Sequence, residues 1–524
     1  MKRFLCIFLA LVTMVCLLSG CGRTIDNSGY TPTGDALLME GEDPEDIVQE
    51  QDTQELTLAY YPDRSMNPLH GSDYTNRVVM SLIYQGLFSV TDEGETYPIL
   101  ASGYKATADK RTWTIYLEKG ATFSDGTRVT LQDVLASYEQ AQNEAYYKGR
   151  FTHIARIELS SDGGIDFFLD TPYQNLAQIL DIPIVKASEV EAEHPLGTGP
   201  YAWEDSLSGV CLQRVSNWWC GNAKLVATDS AIALVEAQST TQVRDEFEFG
   251  DLSLAIANPQ SDSYTDYRCD YELWEIENGY LMFIGCNVTY SKFFDDGTLR
   301  TLLTYAIDRE TIVEDNYGGM ARPATLMVPP TSPYYYKNLA SKYAYDPLKF
   351  INAMTNFSIP RDDKNRQRTL RLLVNNDDSA RLRIARNLAA TLTDFGLPTE
   401  TLEYSSSTYE AVLNSKNYDI YLGVTRLSAN YDLSEVYKSW GRIGSTGGMA
   451  NETLLGMAQH ALEDEGTYYN MLKMVADDGR VIPILFGYHA IYAKRGILSD
   501  LTPARDNVFL YSLGKTMEGC EVKG

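Results

Sequence analysis

The chain has 524 residues, which is long enough to form two or more lobes with sizeable cores. Its formal net charge of −27 at pH 7 argues against nucleic acid and anionic lipid as binding partners. Tyrosine is abundant, with 36 residues, and its ring offers a broad apolar face with a polar tip for cores or for varied ligands.

The N-terminus has the pattern of a secretory lipoprotein signal. A basic pair precedes the apolar run Phe4 to Leu18, which is shorter than the roughly 20 residues of a transmembrane helix. Small residues directly before Cys21 resemble a bacterial lipobox, in which the cysteine is acylated and becomes the mature N-terminus. The sequence predicts a signal peptide over residues 1–20 and a lipid anchor at Cys21. An ordinary signal peptide that happens to contain a cysteine is the alternative.

The segment after the predicted anchor has the composition of a disordered tether. Residues 22–51 hold eight acidic residues against one basic residue, and they include Gly, Pro, Ser and Thr. Such a composition does not bury a core. We therefore expect residues 21–51 to hold the folded body away from the membrane.

The cysteines argue against a disulfide framework. Five remain outside the signal and the anchor, an odd number that excludes complete internal pairing: Cys211, Cys220, Cys269, Cys286 and Cys520. No Cys-x-x-Cys occurs, so neither a thiol-redox motif nor a zinc ribbon is supported. We expect no disulfide that is essential to the fold.

The hydrophobic pattern of the body mixes helices and strands, which predicts α/β lobes. Alternation predicts strands at 56–60, 113–117, 210–215, 280–285, 369–374, 418–423 and 481–486. Helical spacing predicts helices at 76–87, 298–315, 380–395, 408–415 and 452–463. A further helix is predicted after Thr130, a favourable N-cap with Asp133 three residues on.

Several motifs occur in the order of one known family. They are Asn67-Pro-Leu69, Ile83-Tyr-Gln-Gly-Leu87, Phe123-Ser-Asp-Gly-Thr127, Gly197-Thr-Gly-Pro-Tyr201, Asn217-Trp-Trp219 with Gly221, and Leu299-Arg300 with Tyr305-Ala-Ile-Asp-Arg309. Together they resemble family 5 of the extracellular solute-binding proteins, which serve ABC importers of oligopeptides, dipeptides and nickel. Physically the motifs are structural: the Asp-Gly pair favours a turn, and the two glycines of Gly197-Thr-Gly allow unusual dihedrals.

The resemblance implies a two-lobe fold of the periplasmic-binding-protein type (class II), with a hinge between the lobes and an extra subdomain on the first lobe. By this resemblance, lobe I covers 52–93, 198–285 and 480–524, its subdomain covers 94–197, and lobe II covers 286–479. The ligand, an oligopeptide or dipeptide, lies between the lobes and passes to the permease of the importer. We expect a monomer on the extracytoplasmic face of the cell membrane that needs no cofactor.

The sequence lacks the motifs that the rival functions require. No zinc-protease helix, nucleophile elbow or Walker sequence occurs, so we predict no enzyme activity and no catalytic residues. The five histidines form no pair at helical spacing, and no metal site is predicted. The glycine-rich run 444–448 lacks the lysine of a phosphate loop and is interpreted as a surface or cleft loop. A lipid-anchored surface hydrolase, a sensor, and a binder of a nickel complex or sugar remain alternatives.

The ligand site is predicted from two segments that face the cleft in peptide-binding members of the family. The first is the loop His70-Gly71-Ser72-Asp73-Tyr74. The second follows the strand at 418–422 and contains Arg426, Asn430 and Asp432, where the sequence departs from the family's Trp-x-x-Asp-Tyr-Pro-Asp-Pro pattern.

These residues have distinct expected roles. We expect Asp432 or Asp73 to bind a ligand cation and Arg426 to pair with a ligand carboxylate. The alternative is that Asn430 and Asp432 build an Asx turn and that Arg426 lies on the surface.

Overall fold

In a computed structural model of the protein, the strands of the described residues form one large sheet and two smaller ones. The structure describes residues 55–91, 93–206, 209–221, 227–258, 267–439, 443, 449–498, 501, 508–509 and 516–522. The predicted signal peptide, the tether, Cys21 and the run 444–448 lie outside the described residues. Within the described ranges, no helix has both the length and the apolar character needed to cross a membrane.

The strands, in chain order, are β1 (Thr57–Tyr60), β2 (Phe88–Val90), β3 (Thr96–Pro98), β4 (Ala101–Ala106), β5 (Thr112–Leu117), β6 (Ile154–Leu159), β7 (Ile165–Leu169), β8 (Tyr201–Ser206), β9 (Gly209–Arg214), β10 (Ala231–Glu236), β11 (Leu254–Ala257), β12 (Tyr271–Cys286), β13 (Arg322–Pro323), β14 (Leu370–Asn375), β15 (Thr399–Tyr404), β16 (Ile420–Arg426) and β17 (Val481–Lys494). The large sheet has the order β15-β14-β16-β12-β17-β11-β1-β10-β9-β8, and β13 pairs with β17.

The helices are α1 (Tyr74–Ile83), α2 (Leu131–Ala141), α3 (Thr240–Phe249), α4 (Thr298–Leu302), α5 (Arg309–Tyr317), α6 (Lys337–Ala340), α7 (Pro347–Met354), α8 (Ser379–Asp394), α9 (Ser406–Ser415), α10 (Ser434–Tyr437), α11 (Glu452–Glu463) and α12 (Tyr468–Asp478). Their caps follow the sequence closely. The Thr130 hydroxyl accepts from the Asp133 backbone N–H, and the Asp133 carboxylate accepts from the Thr130 backbone N–H. Helix α2 therefore begins with a full capping box.

Two long strands connect the two halves of the large sheet. β12 and β17 pair antiparallel along most of their lengths, and their register shifts between Glu277 and Leu281. Gly279 lies in this bulge with φ +75, and its backbone N–H donates to the Glu277 carboxylate at 2.6 Å. A bulge of this kind bends and twists a strand pair locally. This bulged strand pair lies in the middle of the large sheet and joins its two halves.

The side chains of β12 pack into different hydrophobic cores before and after the bulge. Before the bulge, Ile276 packs in the core that also holds Leu58 of β1 and Val79 of α1. After it, Phe283 and Met282 point to opposite faces of the sheet and pack into two other cores, because successive side chains of a strand alternate. Burial of both faces explains the unbroken apolar run of this strand. The core thus changes a few residues before the predicted lobe boundary at 285, which stays a prediction.

A separate antiparallel sheet, with the order β4-β5-β7-β6, occupies the region predicted as a subdomain. Trp113 of β5 and Phe167 of β7 are buried in the same continuous core as Leu58. This sheet therefore packs onto the first half of the large sheet. The turn before α2 forms as predicted: the Asp125 carboxylate accepts from the Thr127 backbone at 2.9 Å, and Gly126 has φ +81.

The structure gives a different reason for the glycines at 197 and 199 than the sequence analysis did. Gly197 and Gly199 were expected to supply unusual dihedrals, but neither has a positive φ. They are needed for close approach, since a Cβ at Gly197 would lie 2.2 Å from the Ile83 carbonyl oxygen. A Cβ at Gly199 would lie 2.4 Å from the Leu82 carbonyl oxygen, and the Gly199 N–H donates to Ile83 at 2.8 Å. The segment thus packs directly on the last turn of α1.

Candidate ligand-binding site between the two halves of the sheet

A cavity of about 440 Å³, here called the interlobe cavity, opens beside β12 and β17. Its lining comes from the segment 72–75, from Tyr61, Arg64, Tyr146, Thr240, Val243, Ile256, Asn258 and Tyr267, and from Asn278, Tyr280, Arg426 and His489. The volume lies within the range of about 300–1,000 Å³ typical of small-molecule pockets. Residues far apart in the sequence meet here, next to the bulge in β12.

The opening loop reaches the cavity through its last three residues. Ser72, Asp73 and Tyr74 line it, whereas His70 and Gly71 are not part of the lining. His70 Nδ1 lies 3.0 Å from Glu144, and the Gly71 carbonyl accepts from the Arg77 guanidinium at 2.8 Å. The structure therefore divides the loop into a part at the cavity and a part held by neighbouring side chains. As ligand contacts, all five residues stay predictions.

Asp73 has a structural role that explains its place at the cavity. Its carboxylate caps α1 by accepting from the backbone of Thr75 at 3.0 Å and of Asn76 at 3.3 Å, and it forms an ion pair with Arg64. A carboxylate at a helix N-terminus is favoured by the helix dipole. The cavity thus receives a paired carboxylate rather than an isolated one.

Arg426 enters the cavity from the other half of the sheet. It is the last residue of β16 and lies opposite Tyr280 of β12. Its Nε donates to the Asn278 carbonyl at 2.9 Å, and its guanidinium carbon lies 4.5 Å from the centroid of the Tyr146 ring. Such a cation–π contact contributes about 0.5–2 kcal/mol. These two contacts hold the Arg426 side chain beside the cavity.

Asn430 and Asp432 follow β16 but do not line the interlobe cavity. Both are buried. The Asn430 side-chain oxygen accepts from the Asp432 backbone at 3.4 Å, and the Asp432 carboxylate accepts from the Ser434 backbone at 2.8 Å. The second carboxylate oxygen of Asp432 lies 2.9 Å from His153 Nε2. This geometry fits the Asx-turn alternative, while the roles of both residues as ligand contacts stay predictions.

The charges at the cavity favour an anionic group on the ligand. Arg64 and Arg426 supply two permanent cations, and Asp73 supplies one carboxylate. Burial raises the pKa of Tyr280 to about 12, so its hydroxyl stays neutral near pH 7. Among the described residues, no group of three or more His, Cys, Asp or Glu side chains is placed to hold a metal ion. The cavity is thus locally cationic within a strongly acidic protein.

Sequence reasoning missed several lining residues: Arg64, Tyr146, Tyr280 and His489. Tyr280 lies in a strand that was predicted, but its place beside a bulge depends on pairing with β17. His489 stacks on Tyr74 with centroids 3.7 Å apart, a contact between residues more than 400 positions apart. Gly279 was the one local signal, since glycine inside a strand pattern indicates a bulge.

Comparison with known protein families identifies the chain. The model described as bacterial extracellular solute-binding proteins, family 5, middle region, matches residues 95–446. The chain belongs to this family. The family is one of solute-binding proteins, and the predicted resemblance is confirmed.

Curated relatives match about half of the chain. The glutathione-binding protein GsiB of Shigella flexneri serotype 5b is 27% identical over 300 residues, which cover 54% of this chain and 58% of the relative. GsiB of Escherichia coli O6:K15:H31 is 28% identical over 301 residues, with 54% and 57% covered. The chain therefore spans little more than half the length of these relatives.

Solved structures confirm the fold class. The unliganded periplasmic murein tripeptide-binding protein MppA aligns with a TM-score of 0.69 at 16% identity, over 90% of this chain and 96% of its own. The substrate-binding protein CtaP of Listeria monocytogenes aligns with a TM-score of 0.67 at 19% identity, over 88% and 99%. The protein has the two-lobe α/β fold of periplasmic binding proteins of the family 5 type.

Proposed function

We propose that this protein is a substrate-binding lipoprotein, anchored through Cys21 on the extracytoplasmic face of the cell membrane. It captures a small carboxylate-bearing ligand, a dipeptide or oligopeptide, and delivers it to the permease of an ABC importer. The family supports the binding of a solute, and the N-terminal sequence supports the anchor. Binding and release change no covalent bond of the ligand.

The observation that carries the proposal is the interlobe cavity with Arg426 on one side and Ser72, Asp73 and Tyr74 on the other. A guanidinium presents a planar fork of donors that fits a carboxylate in bidentate geometry. Ser72 of the opening loop adds a hydroxyl group to the lining, which can form a hydrogen bond with an amide group of a peptide. Because the two sides belong to different halves of the sheet, a bound ligand links both halves and favours closure.

Glutathione is the first specific ligand to test. Curated relatives are named glutathione-binding proteins, and glutathione is a peptide-like molecule with two carboxylates and one ammonium group. The interlobe cavity has two arginines against one aspartate, and this excess of positive charge matches the excess of negative charge on glutathione. The aromatic lining offers apolar surface to its backbone and thiol. Dialanine is a second probe, because it carries one carboxylate and one ammonium group without the thiol.

Calorimetric titration of the purified protein with glutathione and with dialanine tests the proposal. We expect one of them to bind, and we expect Arg426→Ala to weaken that binding at least about tenfold, equivalent to about 1.4 kcal/mol. Arg366→Ala is the matched control, since the Arg366 side chain is 72% exposed and pairs with Asp362 four residues before it. Native mass spectrometry of protein purified without added ligand identifies any molecule that remains bound.

Specific results contradict the proposal. Equal affinity of the wild type and Arg426→Ala, both folded, would remove the carboxylate site from the cavity. A co-purifying sugar would exclude a peptide ligand, while a co-purifying metal chelate with carboxylates would replace the peptide and keep the role of Arg426.

A further inference from the structure

A second cavity adjoins the interlobe cavity and has no role in the proposed function so far. Its volume is about 350 Å³, and we call it the extension cavity. Ser72, Tyr146 and Arg426 line both cavities. The rest of its lining is Ala145, Gly149, Arg150 and the segment 427–429. Because three residues are common to both, the cavities are neighbouring chambers of one cleft.

The boundary between the chambers is the contact of Tyr146 with Arg426. The Arg426 Nη2 lies 3.4 Å from the Tyr146 hydroxyl, at the long limit of a hydrogen bond. The Tyr146 ring is also covered by Arg77, whose guanidinium carbon lies 4.1 Å from the ring centroid and which donates to the Gly71 carbonyl at 2.8 Å. Arg77 therefore holds the Tyr146 ring in place. The weak hydrogen bond between Tyr146 and Arg426 is the contact that a ligand would replace.

The extension cavity offers little charge of its own. Arg150 is buried and forms a bidentate ion pair with Asp181, at 2.6 and 2.8 Å, so its charge is already balanced. Ala145, Gly149 and Ala429 contribute small side chains or none. Only Arg426, at the boundary, adds a cation that faces both chambers. The cavity suits small uncharged groups.

Ser428 adds a polar atom to this lining. Its hydroxyl oxygen is buried, and no described residue forms a hydrogen bond with it. A buried hydroxyl without a partner costs about 1–3 kcal/mol, so native structures supply a partner from protein, water or ligand. Since Ser428 lines the extension cavity, a ligand carbonyl or amide in that cavity would supply the partner.

We propose that the extension cavity is a second subsite for the ligand, which takes small, uncharged amino-acid residues of a peptide whose other end lies in the interlobe cavity. The peptide passes Arg426 at the boundary, and the Ser428 hydroxyl forms a hydrogen bond with its backbone. The subsite sets the length of peptide that the protein prefers. This inference rests on the proposed peptide ligand and adds where longer peptides bind.

The test uses alanine peptides of two to five residues and calorimetric titration of three variants. Ala429→Phe fills the extension cavity without touching the interlobe cavity, since Ala429 lines only the former. Ser428→Ala removes one hydroxyl and preserves the fold. Ala390→Phe is the matched control, because Ala390 is exposed on α8 and lines neither cavity. Thermal unfolding of each variant confirms that it is folded.

We expect the wild type to bind tetra-alanine at least about tenfold more tightly than dialanine, a difference of about 1.4 kcal/mol. Ala429→Phe should abolish this gain and leave the affinity for dialanine within about twofold. Ser428→Ala should reduce tetra-alanine binding about threefold to tenfold, as expected for one hydrogen bond. Ala390→Phe should bind every peptide like the wild type.

The outcomes separate the inference from the function on which it rests. If the wild type binds no alanine peptide of any length, the peptide assignment and the subsite are both wrong. If dialanine and tetra-alanine bind equally, or if Ala429→Phe weakens both to the same extent, the subsite alone is wrong. Unchanged binding of every peptide to both Ala429→Phe and Ser428→Ala has the same consequence.

Discussion

The buried pair of His153 and Asp432 connects the small four-stranded-sheet region to the loop after β16, and its removal should destabilise the ligand-free protein. The two residues are 279 positions apart and their side chains are 5% and 4% exposed. His153 Nδ1 lies 3.2 Å from Asp170 as well. Carboxylates accept and do not donate when ionised, so a ring between two of them binds best as the imidazolium, which donates from both nitrogens.

The pKa shifts agree with a charged pair. Burial lowers the pKa of His153, but the hydrogen bond and attraction to Asp432 outweigh burial and raise it above its usual value; Lys438 opposes this shift and Asp170 supports it. Burial raises the pKa of Asp432, and its contacts with His153 and Ser434 outweigh that effect and lower it. Both groups are therefore stabilised in their charged forms.

The variant His153→Gln leaves Asp432 buried without its cation. Breaking a buried ion pair in this way costs about 3–5 kcal/mol. Protonation of Asp432 limits the cost, because neutralising a carboxyl of ordinary pKa about 3.9 at pH 6 takes about 3 kcal/mol. We expect the free energy of unfolding to fall by about 3 kcal/mol at pH 6. Asp432→Asn should cost less, about 1 kcal/mol, because His153 loses its proton easily near its ordinary pKa of about 6.5.

The loss should depend on pH in a defined direction. The stabilisation from His153 is complete below about pH 6.5 and is lost as the pH rises through its raised folded-state pKa. The stabilisation from Asp432 is present above about pH 3.9 and is lost as the pH falls through its lowered folded-state pKa. The difference between the wild type and His153→Gln should therefore grow between about pH 4 and 6, because protonating Asp432 in the variant becomes more costly as the pH rises. It should shrink at higher pH, where the wild type loses the stabilisation from His153.

Urea unfolding of the ligand-free wild type, the two single variants and the double variant, at several values between pH 5 and 9, measures these differences. The double variant should be more stable than the sum of the single losses predicts, because each single change removes the same contact. His460→Gln is the matched control, since His460 is 52% exposed and its pair with Glu463 should contribute less than about 1 kcal/mol. A loss in His153→Gln below about 0.5 kcal/mol at pH 6, or one that is constant over the whole pH range, would refute the reasoning.

Three further predictions concern the anchor, closure and packing. Cys21→Ala should release the protein from the membrane fraction, because stable retention needs two acyl chains; unchanged retention with an unchanged N-terminal mass would exclude the lipid anchor. A proven ligand at 100 times its Kd should reduce the radius of gyration in solution scattering and stabilise the protein by about 2.7 kcal/mol, and the absence of both effects would argue against closure around the ligand. Gly197→Ala should lower the free energy of unfolding in urea by about 1–3 kcal/mol, because its Cβ would meet the Ile83 carbonyl. Gly120→Ala is the control and should not lower it, since its Cβ meets nothing within 4 Å. Equal stability of the two variants would show that the helix end adapts.

Local sequence patterns predicted many of the elements because their determinants lie within a few residues. The capping box at Thr130 and Asp133 is an example, since both partners lie in one turn. The helix predicted over 298–315 shows the limit of this reasoning. In the structure, α4 ends at Leu302 and a 3-10 helix continues to Ala306. Ile307 is then extended, and Asp308 caps a new helix. The buried guanidinium of Arg309 donates to the Thr304 and Ile307 carbonyls at this break. No local sequence pattern predicts these bonds, because they depend on the burial of Arg309.

The sequence by itself determined the family, through motifs that keep the same order and that serve turns, caps and close packing. It also placed Ser72, Asp73, Tyr74 and Arg426 in segments that reach the cleft. Only the tertiary structure decided which residues of those segments line the cavity, because that depends on the bulge in β12 and on its pairing with β17. The sequence likewise did not reveal the partner of Asp432, since His153, which directly precedes β6, reaches it only in the folded protein, across 279 positions of the chain. Burial then makes that partner necessary, because a carboxylate removed from water needs a nearby cation.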